Sequence, residues 1–162
     1  MSDRTIACEL RKPASPEEWQ RYHDIRRRYL FQTYLPAVVY DPGHPDERRD
    51  GHHPLALVLD GRVAGTIRID VLDEARVCFR LVAIDEPLRG RGLGSELMRQ
   101  AERYAAALGR SEAVLFANKN ALGFYLKQGY APVAPWGESP LDRNSVPVGK
   151  ALSAYNGMMG TR

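Results

Sequence analysis

Leu88-Arg89-Gly90-Arg91-Gly92-Leu93-Gly94 decides the fold. It lies between a run of strand character, 75–84, and the clearest helical pattern in the chain, 93–108. In that helix Leu93, Leu97, Ala101, Tyr104 and Leu108 recur at helical spacing, and Gly109 closes it. Gly90, Gly92 and Gly94 alternate, so the backbone can turn tightly and approach a ligand with no Cβ in the way. The helix that follows presents unpartnered N–H groups and the positive end of its dipole to the same point. Arg89 and Arg91 add charge beside it. This combination suits a phosphate or pyrophosphate. A Walker A loop is excluded because no Lys followed by a hydroxyl residue stands after the glycines. A dinucleotide fingerprint fits poorly too, since the third glycine is misplaced and Glu112, the acid nearest the expected distance, opens the next strand.

Outward from this loop, PLALVLD and RVAGTIRID are two strand-like runs joined by Asp60-Gly61, a strong hairpin signal. Gly65 reads as a bulge within the second run. Toward the N-terminus, residues 5–10 predict a first strand. Ser15-Pro16-Glu17-Glu18 predicts a helix start that carries Trp19, Tyr22, Ile25 and Tyr29 toward the core. A second helix over 30–39 is expected to kink or break at Pro36, and the polar stretch 41–54 reads as a solvated loop. Toward the C-terminus the expectations are strand 113–116, helix 121–128, strand 130–133, a loop, and a last strand over 146–152. The order β-α-α-β-β-β-α-β-α-β-(β) describes an α/β (α+β) fold with a substantial mixed sheet. One domain over 1–152 and a flexible tail over 153–162 are expected.

A second motif is Asn118-Lys119-Asn120-Ala121-Leu122-Gly123-Phe124-Tyr125-Leu126-Lys127-Gln128-Gly129-Tyr130. Asn118 or Asn120 can cap the short helix. Phe124 and Tyr125 are adjacent on it and cannot point the same way. A Tyr facing an apolar cleft can donate its phenolic proton to a leaving group, although a Tyr in a short helix more often simply packs.

Together the two motifs resemble the GNAT superfamily of N-acetyltransferases. Its coenzyme A motif, Q/R-x-x-G-x-G/A, is matched by Arg89 to Gly94. The later signature, Asn and then A-x-x-F-Y-x-x-x-G-F/Y, is matched by Asn118 and by Ala121 to Tyr130. The resemblance spans about 5–152 and is specific over about 55–130. It implies a mixed, mostly antiparallel twisted sheet of six or seven strands flanked by about four helices. It also implies an enzyme moving an acetyl group from acetyl-CoA directly to a primary amine on a small molecule or peptide. The pyrophosphate would lie on backbone N–H groups of Arg89, Gly90, Arg91, Gly92, Leu93 and Gly94. The pantetheine arm would run beside Val82, Ala83 and Ile84. Asn118 would contact or orient the coenzyme, and Tyr125 would protonate the departing thiolate. A non-catalytic acyl-CoA-binding or sensing domain of the same fold is the alternative.

The acceptor amine must be neutral to attack. Several members of the resembled family place a carboxylate on the fourth strand for this, and here that strand has none. Glu74, Asp85 or water are the candidate bases. Cys78 reads as core packing, although strict alternation would put it on one face with Arg80 and Val82. Arg80, a charge within an apolar strand, needs either an anionic acceptor or a nearby acid such as Asp70. His44, His52 and His53 with Asp41, Asp46 and Asp50 match no common zinc spacing, so no metal is expected. Of Arg26, Arg27 and Arg28, at least one faces solvent.

Composition agrees and adds limits. The chain has 162 residues, 44% hydrophobic and 27% charged, which excludes wholesale disorder. The net charge is +3, and only four of 23 basic residues are Lys. With no focused basic patch, finger spacing or basic helix, no nucleic-acid partner is expected. Cys8 and Cys78 have no CxxC spacing, the N-terminus lacks a signal-peptide pattern, and no apolar run suits a membrane span. These point to a cytoplasmic protein without a membrane partner. Pairing across sheet edges would allow a homodimer, which no residue establishes.

Overall fold

A computed structural model describes residues 7–140 and 143–153. The predicted 153–162 tail lies almost wholly outside them, as do Thr5 and Ile6 of the first predicted strand. Eleven elements follow in order: β1 (Cys8–Arg11), α1 (Pro16–Arg26), α2 (Gln32–Tyr34), β2 (His52–Leu59), β3 (Arg62–Val71), β4 (Arg76–Ile84), α3 (Leu93–Ala107), β5 (Glu112–Asn118), α4 (Leu122–Lys127), β6 (Ala131–Pro132) and β7 (Ser145–Ala151). The seven strands hydrogen-bond in the order β1-β2-β3-β4-β5-β7-β6. The β1/β2, β5/β7 and β6/β7 pairs are antiparallel, and β4/β5 is parallel. This is the mixed, mostly antiparallel sheet flanked by helices that the motifs imply.

The residues form two compact units. One runs to Arg68 and includes Leu81–Gln100; the other is Ile69–Arg80 with the chain from Ala101 onward. In the first, α1 starts where Ser15 Oγ accepts from Glu18 N at 3.1 Å, with Pro16 opening the helix. Arg11 clamps both oxygens of Glu18 at 2.8 and 2.9 Å. Tyr22 and Ile25 are buried against Ala56, Val58, Val63 and Ala83, with Trp19, Tyr29 and Leu30 at the margin. Burying a larger aliphatic side chain of this cluster, such as Ile25, contributes roughly 1.5–3 kcal/mol. The Asp60-Gly61 turn has φ of 51° and 79°, as a two-residue hairpin of the primed type requires.

Several expectations are corrected here. The two predicted helices form one helical run, with a π-helical stretch at Arg27–Phe31 joining α1 to α2. The run breaks after Tyr34, as expected at Pro36, because Pro36 disfavours helical backbone at Leu35, which adopts φ −133° and ψ 55°. The stretch 41–54 is not wholly a loop: Pro45–Arg48 is a 3-10 turn, and His52, His53 and Pro54 belong to β2. His44 Nδ1 accepts from Asp46 N, and His52 Nδ1 donates to Asp46 O at 2.6 Å. Glu47 is buried and ion-paired with the equally buried Arg26 at 2.8 Å, while Arg68 lies 3.8 Å from the same oxygen. Arg26 also donates to the Tyr22 hydroxyl. Of the three consecutive arginines, Arg26 is buried, Arg27 is half-buried and Arg28 is exposed.

Gly65 needs no bulge. A Cβ there would stand 2.9 Å from Ala83 O and 2.7 Å from Ile84 Cδ1, so its role is to let β4 approach. The irregularity is in β4 itself, where Leu81 takes φ 57°. That left-handed residue breaks the side-chain alternation, so Arg80 and Val82 are not tied to one face.

In the second unit Ile69, Val77, Phe79, Ala101, Ala105, Ala113, Leu115 and Val148 are buried. β5 is longer than predicted, because it pairs with β7 along its whole length, Glu112↔Ala151 to Asn118↔Ser145. Tyr130 precedes the short β6 and is buried, donating its hydroxyl proton to Glu102 at 2.8 Å. Lys150 bonds the other oxygen of Glu102 at 2.9 Å.

Candidate functional site

In the first unit the site residues lie where β4 ends. The β4/β5 register runs only from Arg76↔Glu112 to Cys78↔Val114, whereas β4 continues to Ile84. Thr66 Oγ1 donates to Leu81 O at 2.9 Å, and Asp85 N donates to Ala64 O at 2.8 Å, so the strand's last residues are pinned to β3 at both ends. Val82 and Ile84 are half-buried and Ala83 is buried. A 3-10 turn, Glu86–Leu88, leads into the loop.

Gly90 and Gly92 have φ of 84° and 80°, the left-handed conformation that glycine alone adopts without strain. Gly90 has open space where a Cβ would be, so its requirement is conformational. Leu93 is buried and anchors the start of α3. Gly94 lies in the first turn of α3, where N–H groups lack partners within the helix. Glu96 N donates to Gly92 O at 3.1 Å, the bond that begins the helix. Left-handed glycines leading into the unpartnered N–H groups of a first helical turn are the backbone pattern that suits a pyrophosphate.

The two arginines of the loop differ. Arg91 is exposed. Arg89 donates from Nε to Ile84 O at 3.0 Å and lies over the Tyr29 ring at 4.8 Å, so it braces the loop as well as charging it. Asp85 is also committed. Its two oxygens accept from Arg21 Nη2 at 2.5 Å and from the Tyr29 hydroxyl at 2.8 Å, and Arg21 Nε donates to Val63 O at 2.6 Å. A carboxylate held this way positions the loop. Glu74, the other acidic candidate, is exposed in the turn that opens β4. Nothing in the sequence joins Arg21, Tyr29 and Thr66 to this site, because each reaches it from another element.

In the second unit Asn118 ends β5, and its Oδ1 accepts from Ala121 N at 3.0 Å, which shapes the turn into α4. Of the adjacent aromatics, Tyr125 is the buried one and Phe124 is half-buried. The Tyr125 ring meets Phe124 edge-on at 5.2 Å and Tyr130 at 5.8 Å. Burial pushes the Tyr125 phenol well above its ordinary value, so it stays protonated at neutral pH. Cys78 is buried, as core packing requires. Arg80 is ion-paired with Asp70 and with Glu138, each at 2.7 Å. Among the described residues no group of His, Cys, Asp or Glu is placed to hold a metal, and no helix is long and apolar enough to cross a membrane.

The profile of the acetyltransferase (GNAT) family matches residues 7–130. Among solved structures, an acetyltransferase from Streptococcus agalactiae is 16% identical with a TM-score of 0.71, covering 90% of this chain and 98% of its own. An acyl-CoA N-acyltransferase from Pseudomonas aeruginosa is 20% identical with a TM-score of 0.68, covering 90% and 97%. An N-acetyltransferase from Thermoplasma acidophilum, solved in complex with coenzyme A, is 14% identical with a TM-score of 0.65, covering 90% and 99%. At these identities the likeness is one of fold.

Proposed function

Because the chain belongs to the acetyltransferase (GNAT) family, we propose that it is an N-acetyltransferase that carries an acetyl group from acetyl-CoA directly to a primary amine on a small molecule or peptide. The observation that carries this reading is the paired left-handed glycines, Gly90 and Gly92, at the head of α3, placed just after a strand that outruns its β5 partner. The backbone N–H groups from Arg89 to Gly94 hold the pyrophosphate. Backbone groups at Val82, Ala83 and Ile84 hold the pantetheine arm and polarise the thioester carbonyl. Asn118 orients the coenzyme.

The lone pair of the neutral amine attacks the thioester carbonyl carbon and the C–S bond breaks. Sulfur leaves with the bonding pair and takes the phenolic proton of Tyr125, whose burial keeps that proton in place until it is needed. The proton lost by the amine goes to water, since Arg21 and Tyr29 occupy the oxygens of Asp85. The test is a screen of polyamines, amino acids, aminoglycosides and peptide N-termini with acetyl-CoA, detecting free CoA thiol. Turnover that Tyr125→Phe reduces by about 10²–10⁴ in kcat supports the reading. Turnover unchanged in Tyr125→Phe removes Tyr125 from it. Saturable acetyl-CoA binding with no amine turned over favours the non-catalytic acyl-CoA-binding domain instead.

A further inference from the structure

We propose that Arg80 and Trp136 form a receptor for a carboxylate carried by the amine acceptor, and that Glu138 fills this receptor until the acceptor displaces it. The inference rests on the acyl-transfer reading above and names the chemical class of its acceptor. Arg80 occurs on β4 directly before Leu81 and the segment 82–84. Its Nε donates to Asp70 Oδ2 at 2.7 Å. Asp70 is 2% exposed, and separating a carboxylate so buried from a cation is costly, so this contact anchors the guanidinium.

The second contact is of another kind. Arg80 Nη2 donates to Glu138 Oε1 at 2.7 Å, and Trp136 Nε1 donates to that same oxygen at 3.0 Å. Two donors from different segments therefore converge on one carboxylate oxygen. Neither donor depends on Glu138 for its position: Asp70 holds Arg80, and the Trp136 ring stacks on Phe116 at 4.3 Å and 25°. Glu138 lies in a stretch without helix or strand beside Gly137, which has φ 90°. Its side chain is 39% exposed and that of Arg80 is 24% exposed. A solvated ion pair of this kind is weak and readily exchanged.

The charges select the incoming group. Arg80 and Asp70 cancel, and Glu138 brings the set to one negative charge. A carboxylate on the acceptor replaces Glu138 without changing that sum. A dianionic phosphate would add a charge beside buried Asp70, and a neutral carbonyl would accept from the same two donors through weaker, uncharged hydrogen bonds. The acceptor class is thus an amine that also carries a carboxylate, as amino acids do.

The experiment compares the L-amino acids with their carboxamides as acceptors, using acetyl-CoA and free-thiol detection, in the wild type, Glu138→Gln and Arg80→Lys. Glu138→Gln keeps the shape of a half-buried loop side chain and removes only its charge, and Arg80→Lys preserves a cation beside Asp70. The acids are expected to be preferred over their carboxamides. Glu138→Gln should lower KM for the acids by about three- to tenfold, with kcat and the carboxamides little changed. Arg80→Lys should lower kcat/KM for the acids by about tenfold and spare the carboxamides. Equal use of acids and carboxamides, no acid turned over, or an acid KM unmoved by Glu138→Gln would each overturn the inference. The last result, joined to a loss of stability, would identify Glu138 as a loop strap. Calorimetric titration with acetyl-CoA separates the two layers: if it binds, these failures remove the carboxylate receptor alone, and if it does not, the acyl-transfer reading falls with it.

Discussion

Gly65→Ala is the substitution whose effect the structure specifies most closely. The added methyl would stand 2.7 Å from Ile84 Cδ1, 2.9 Å from Ala83 O and 3.2 Å from Leu97 Cδ1. The two side-chain ends can rotate aside, but the Ala83 carbonyl is backbone and moves only if β4 moves. Overpacking of this size costs about 1–3 kcal/mol. The smaller conformational entropy of the unfolded Ala chain returns about 0.4–1 kcal/mol. The net expectation is a loss of about 1–2 kcal/mol, equivalent to roughly 2–8 °C in Tm for a chain of this size. Because the displaced backbone is the segment proposed to hold pantetheine, acetyl-CoA affinity should fall as well. Gly123→Ala is the control: it lies in α4 with nothing within 4 Å of the new methyl. It should be neutral or stabilising by up to about 1 kcal/mol. Urea unfolding of both variants checks the pair. A Gly65→Ala midpoint equal to or above wild type would refute the reasoning, as would a Gly123→Ala loss of the same size.

Other substitutions probe separate contacts. Glu47→Ala strips the buried Arg26 of its ion-pair partner and should cost about 3–5 kcal/mol by urea unfolding, whereas a paired Arg26→Met, Glu47→Leu change should cost much less. Asp85→Asn weakens the clamp from Arg21 and Tyr29, so KM for acetyl-CoA should rise while the shape of the pH–rate profile stays the same; loss of the acidic limb would instead mark Asp85 as the base. Hydrogen bonds from Arg11 and from Ala14 N hold the Glu18 carboxyl down at about 2. Its folded value is therefore depressed, so its stabilisation is present above the ordinary carboxylate range and is lost as pH falls from about 4.5 toward 2. Glu18→Gln should cost about 1 kcal/mol at pH 7 and flatten that acid limb in pH-dependent unfolding.

What was legible in the chain was local. Ser15 with Pro16, the Asp60-Gly61 turn and the glycines of the loop each state their backbone conformation through residue type, and the structure realises each of them. The helical periodicity of α3 and the strand runs announced themselves for the same reason. What escaped was set by partners distant in sequence. Glu47 stands in a polar stretch that reads as solvent-facing, and only Arg26 and Arg68 make it a core residue. Asp85 reads as a free acid until Arg21 and Tyr29 are beside it. Arg80 left two readings open, and its partners Asp70 and Glu138 lie ten and 58 positions away. Leu81 carries no mark of its left-handed φ, nor do the residues from Arg27 to Phe31 signal a π-helical turn. In those places the fold imposes a backbone that the side chains do not request.

In the proposed function the loop from Arg89 to Gly94 binds acyl-CoA through its backbone. Calorimetric titration of acetyl-CoA into the wild type and into Gly92→Val tests it most directly, because φ 80° at Gly92 is closed to a β-branched residue. One saturable site is expected in the wild type, with an affinity at least about tenfold weaker in Gly92→Val, near 1.4 kcal/mol. No saturable binding to the wild type, or equal affinity in the two proteins, would contradict it.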